Sequence, residues 1–169
     1  MNATHLHLML NHFPIIGTLV GIGVIFYGYI TRSEEIKKTA LWIWAAMAVI
    51  AIPVYLTGES AEEAVEHLAG VSESLIHEHE EMAGLAIWFM EALGVFSFLS
   101  LVISRIFPSA SRSKVTYVVA ICLSLAVFGV MARTGYLGGQ IRHTELGNNQ
   151  TLISVGEHEG EHDDSHDDD

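Results

Sequence analysis

Four long runs of apolar residues decide what this chain can become. They cover residues 13–30, 39–57, 82–104 and 115–136, the third interrupted once by Glu91 and the fourth carrying Arg133 near its end. A helix needs about 20 apolar residues to cross the roughly 30 Å hydrocarbon layer, because lipid cannot satisfy an open backbone. The pattern predicts an all-α, polytopic membrane protein, built as a four-helix up-and-down bundle by its short connections. No basic leader with a small-residue cleavage site precedes the first run, which is read as a retained helix. The expected organisation is one transmembrane domain over residues 1–146 and a tail over 147–169. Half of the 169 residues are apolar and 17% are charged, so little is left for a second globular domain.

Charge gives the bundle a direction. Six of the eight basic residues lie in two connections: Arg32, Lys37 and Lys38 in the first, Arg105, Arg112 and Lys114 in the third. By the positive-inside rule these loops face the cytoplasm, which puts both termini and the connection from Gly58 to Glu81 outside. All ten histidines and seventeen of the twenty acidic residues then fall on the outer side. The net charge of −12 counts against nucleic acid or an anionic lipid surface as partner and favours cations. The one cysteine, Cys122, lies within an apolar run and is expected to be a small buried hydrophobe. It rules out a disulfide framework, and without Cys-x-x-Cys-His a covalent c-type haem is excluded.

Local signals shape the outer side. Pro14 and Pro53 should bend the first and second helices, since each removes a backbone donor. Ser60-Ala61-Glu62-Glu63 reads as a capping box opening a short outer helix. Gly138-Gly139 should end the fourth helix and let Gln140 to Glu145 lie across the mouth of the bundle. Residues 157–169 are almost wholly Glu, His, Gly, Ser and Asp, so a disordered acidic, His-rich tail is expected there.

Imidazole binds transition metals and haem iron at neutral pH, and a useful site gathers several rings from different helices. His5 and His12 share one face of the first helix, and His7, Asn11 and Pro14 another. On the third helix His77, Glu80, Glu81, Gly84 and Glu91 form a stripe, with His79 pointing away beside Met82 and Ala83. His143 follows the glycine pair, and Glu59, Glu62, Glu63 and Glu66 add carboxylates over the same mouth. Carboxylate with imidazole and no thiolate suits a non-haem iron, copper, zinc or manganese site. Two opposed imidazoles across a glycine-lined gap suit a six-coordinate haem b. Glu91 and Arg133 are expected to form an ion pair within the membrane, each being costly there alone. Otherwise Glu91 relays protons or ions, or Arg133 with Arg142 holds haem propionates or a quinone-like carbonyl.

The segment His-Leu-His-Leu-Met-Leu-Asn-His-Phe-Pro at 5–14 and Thr-Gly-Tyr-Leu-Gly-Gly at 134–139 resemble those of a widespread family of four-span bacterial membrane proteins carrying a domain-of-unknown-function label. Leu56-Thr-Gly-Glu59, Ala61-Glu62 and His79-Glu80 look like those of a subgroup. The resemblance spans residues 5–145 and points to His7, His12, His79 and His143, with Glu59, Glu62, Glu80, Arg142 and Glu145 beside them. It implies a bacterial inner-membrane protein whose layout is similar to that of b-type cytochrome subunits. The chain departs from those cytochromes in having no histidine in its inner half.

The favoured expectation is a redox centre at the outer face, a haem b held by His12 and a helix-three histidine. The helical stripe favours His77 for that role and the resemblance His79. Electrons would pass between a quinol or other membrane partner and a periplasmic acceptor. The alternatives are a non-haem metal-handling protein using His5, His7, His12, His77, His79, His143 and nearby carboxylates, or a structural subunit of a larger membrane complex. No nucleophile-base pair or phosphate-cradling loop points to stand-alone catalysis; an oxidoreductase subunit is the enzymatic reading.

Overall fold

The fold is seen in a computed structural model that describes the backbone of residues 3–66, 72–107 and 110–159 and the side chains of residues 4–63, 72–107 and 114–141. Six helices make up the described residues: α1 Ala3–Leu10, α2 His12–Ile30, α3 Glu34–Leu56, α4 Gly58–Glu66, α5 Glu73–Ile106 and α6 Ala110–Glu159. Four helical segments, Thr4–Ile30, Glu34–Leu56, Glu73–Ile106 and Lys114–Ile141, are long and apolar enough to cross a membrane. Helix α2 packs on α3, α3 on α5, α5 on α6, and α6 closes back on α2. This is the expected four-helix bundle, with α1 and the short α4 packed together at one end.

The bundle is apolar outside as well as inside, which suits lipid as solvent. Ile30, Leu56 and Trp88 are 79%, 72% and 76% exposed on its surface. In water each such side chain forgoes about 1.5–3 kcal/mol of burial; in a bilayer that penalty disappears. Cys122 is also exposed, correcting the expectation of a buried thiol. It lies on a helix flank within the span Lys114–Ile141, where lipid and not protein keeps it from water.

Close packing instead depends on small residues at the crossings. The indole of Trp44 is fully buried and rests on Gly21, where a Cβ would overlap its ring. Its Nε1 donates to the Thr18 carbonyl at 3.2 Å, so the buried N–H is satisfied. Gly94 of α5 meets the Ala48 Cβ of α3 so closely that no side chain fits between. Behind these contacts lie Ile25, Met90, Leu93, Ala120 and Val127, all fully buried.

The end carrying the basic connections is fastened by one buried cation. Lys37 is 8% exposed, pairs with Glu34, and lies 4.9 Å from the Tyr29 ring and 5.0 Å from the Tyr117 ring. It thereby ties α2, α3 and α6 together. Helix α2 ends nearby in a Schellman motif, with Ser33 N–H donating to Gly28 O and Arg32 N–H to Tyr29 O. Arg32 takes the left-handed position at φ 55°, which costs a residue with a Cβ about 1 kcal/mol. Arg32→Gly is therefore expected to raise stability by up to about 1 kcal/mol, read as a higher melting temperature in detergent.

Two local expectations need correction. Helix α6 continues through Gly138-Gly139 to Glu159, so the glycine pair does not end it. Leu137 and Ile141 on either side are 1% and 9% exposed, and their anchorage outweighs the roughly 1 kcal/mol that each glycine takes from a helix. Of the expected tail, residues 160–169 lie outside the described residues. The outer helix begins at Gly58, directly after the Thr57 cap of α3, and not at the Ser60 capping box. Pro14 acts one turn before itself: it has no N–H for the Leu10 carbonyl, and the helical segment Thr4–Ile30 is interrupted at Asn11, which keeps helical backbone angles.

Candidate functional site

The histidine-bearing end of the bundle is built by α1, the last turn of α3, α4, the first turns of α5 and the later turns of α6. Carbonyls in the final turn of a helix lack partners within it. The Val54 carbonyl of α3 is one of these; the hydroxyl of the capping Thr57 donates to it at 3.1 Å, and His7 of α1 approaches it with Nδ1 at 2.9 Å. Gly58 makes room, since a Cβ there would lie 3.7 Å from the His7 ring. On the facing side His79 of α5 sets its Nδ1 2.9 Å from the Thr134 carbonyl of α6. Gly138 lets that ring in: a Cβ would stand 3.1 Å from His79 Cε1.

Both rings are therefore held in the same manner. A carbonyl oxygen only accepts, so Nδ1 carries the proton in each, and the neutral ring presents its Nε2 lone pair. That is the arrangement by which a backbone carbonyl orients a metal-ligating histidine. The rings are half-buried and near enough for charge on one to act on the other. What this pair can do is offer two oriented nitrogen donors from two separate helices at the end of the bundle.

The remaining expected ligands distribute differently. His12 is exposed, on another face from His7, and its Nδ1 is hydrogen-bonded to the neighbouring Asn11 side chain. Seven residues return a helix to nearly the same face, so His12 follows His5, which is also exposed, and not His7. The rings bonded to backbone carbonyls are thus those of His7 and His79, while that of His12 is bonded to Asn11. His77 is 71% exposed and lies 3.8 Å from Glu80 and 3.4 Å from Glu81 along its own helix. With Glu62, Glu73 and Ile76 it lines a separate cavity of about 150 Å³. Glu59 is exposed. His143, Arg142 and Glu145 lie outside the residues whose side chains are described. Among the described residues no group of three His, Cys, Asp or Glu side chains is gathered as a metal cage.

Nor do Glu91 and Arg133 pair. Arg133 lies 3.9 Å from Glu78, both half-exposed, and 6.0 Å from the Tyr136 ring. Glu91 instead lines a cavity with Tyr55, Ile87 and Trp88, between α3 and α5, so the two charges face different neighbours. The residues that sequence reasoning missed are the orienting ones: Val54, Thr134, Gly58 and Gly138. Thr134 and Gly138 are one helical turn apart within the Thr-Gly-Tyr-Leu-Gly-Gly segment, a spacing that puts a carbonyl and a gap on one face.

A family model described as "Predicted membrane protein (DUF2231)" matches residues 3–147. No curated protein and no solved structure matches the chain.

Proposed function

The chain belongs to that family of predicted membrane proteins, and from this premise we propose that it holds a redox metal centre at the histidine-bearing end of its bundle, through Nε2 of His7 and Nε2 of His79. The observation that carries the reading is the shared orientation of the two rings, each with Nδ1 given to a backbone carbonyl and Nε2 left as a donor. Haem b is the form that suits this donor set best, because its macrocycle supplies four nitrogens and the chain needs to add only two. A haem bound there supplies one-electron chemistry. The chain's own part would be to hold the two imidazole rings in place through the carbonyls of Val54 and Thr134. With the basic connections facing the cytoplasm, the site lies at the extracytoplasmic surface of the inner membrane, and the electron transfer runs between a membrane quinol and an acceptor outside.

A second reading is a single iron, copper or zinc ion held by the same pair, with water or a carboxylate completing its shell, since imidazole and carboxylate without thiolate suit such an ion. A reduced-minus-oxidised visible spectrum of the purified full chain separates the two. A sharp haem band at one haem per chain supports the first reading. A colourless protein with stoichiometric metal by elemental analysis supports the second. Neither colour nor metal overturns both and leaves a structural subunit.

A further inference from the structure

Glu91 is an ionisable residue at membrane depth that no part of the candidate metal site uses. Its Oε1 is buried and has no hydrogen-bond partner among the described residues. A buried acceptor left without a donor costs about 1–3 kcal/mol, and more if charged, so this carboxyl group is a costly one at its depth. Arg133 does not pair with it, being turned to Glu78. The carboxylate lines a cavity of about 240 Å³ with Tyr55, Ile87 and Trp88. Trp88 is 76% exposed and Tyr55 49%, on the flank of two spanning helices, so the cavity is reached sideways from the lipid.

Volume and lining restrict the occupant. A dry apolar cavity of about 150 Å³ accommodates benzene, so this one has room for a single substituted ring. Two aromatic side chains and an isoleucine suit a flat apolar ring, and the carboxyl group among them suits a hydroxyl on it. We propose that this cavity binds the ring of a lipid-borne hydroquinone, with one phenolic hydroxyl donating to the Glu91 carboxylate and the apolar tail leaving along the flank between α3 and α5. Its place fits the metal centre, because Tyr55 follows Val54, whose carbonyl orients His7. Only the choice of a redox-active phenol rests on the electron-transfer reading; the cavity and its acceptor do not.

The test uses the full chain in lipid nanodiscs, with duroquinol as probe and its dimethyl ether, which has no hydroxyl to donate, as control. Tryptophan fluorescence reads binding. Saturable quenching by duroquinol is expected, with the ether about tenfold weaker, the worth of one hydrogen bond to a carboxylate. Glu91→Gln is expected to reduce that discrimination to threefold or less. Ile87→Trp, which fills the cavity and leaves Glu91 in place, is expected to remove saturable quenching while the melting temperature stays within a few degrees. Equal affinity for quinol and ether in the unmodified chain overturns the proposal and leaves an acyl chain as occupant. Unchanged discrimination in Glu91→Gln overturns it as well. A His7→Ala/His79→Ala chain that keeps the quenching but never carries a metal retains the hydroquinone site whether or not the metal centre is real.

Discussion

Gly94→Leu is expected to prevent the bundle from assembling, and Gly94→Ala to destabilise it by about 1–3 kcal/mol. In an exposed helix glycine-to-alanine normally stabilises by up to about 1 kcal/mol, so the sign here is set by packing. The new Cβ would meet the Cβ of Ala48, which has no rotamer by which to retreat, and the Trp44 carbonyl lies only 3.6 Å away. Helices in lipid associate through close van der Waals contact and gain little from apolar burial, so forcing α3 from α5 removes most of what joins them. A melting series in detergent checks this. The Ala48→Gly/Gly94→Ala pair is expected to recover most of the loss, a coupling of about 1 kcal/mol or more. Additive losses in the double variant would show that the two positions do not meet.

His79→Ala and His7→Ala are each expected to lower metal or haem occupancy at least tenfold, whereas His12→Ala leaves it within twofold. The expectation follows from orientation: His7 and His79 have their Nδ1 atoms fixed by carbonyls, and His12 is an exposed ring bonded to its neighbour. Loss of an orienting partner typically costs about 10–100-fold in metal affinity, so loss of a ligand should cost no less. Occupancy per chain, by elemental analysis and by the visible band, is the measurement. A chain ending at residue 156 should be assayed beside it, as the control for His158, His162 and His166. If occupancy follows the tail and ignores His79, the site has been assigned to the wrong imidazoles. Gly138→Val offers an independent check, because it removes neither imidazole and displaces only the His79 ring.

The four spans were legible because lipid imposes a strict length and polarity on any helix that crosses it, and no packing arrangement alters that. The one-sided distribution of histidine was legible for a similar reason, since it is a count along the chain. Which histidines cooperate was not. The spacing of His5, His7 and His12 says which share a face of α1, but not which face the neighbouring helices cover. The resemblance pointed to His7, His12, His79 and His143 alike, and the Val54 and Thr134 carbonyls distinguish His7 and His79 by bonding them. The Glu91–Arg133 pairing failed likewise. Similar depth in the membrane brings two charges to one level, while the rotation of each helix decides whether they face.

By itself the sequence determined that this chain has four helices long and apolar enough to cross a membrane, with its imidazoles before the first apolar run, between the second and third, and after the fourth, because hydropathy acts residue by residue against a fixed solvent slab. Only the tertiary structure decided that Gly94 seats on Ala48, that α6 runs on through its glycine pair, and that His7 and His79 are the oriented rings. Those outcomes depend on helix rotation and on which small residue lies opposite which large one. Such relations exist only between segments distant in the chain, after they have packed.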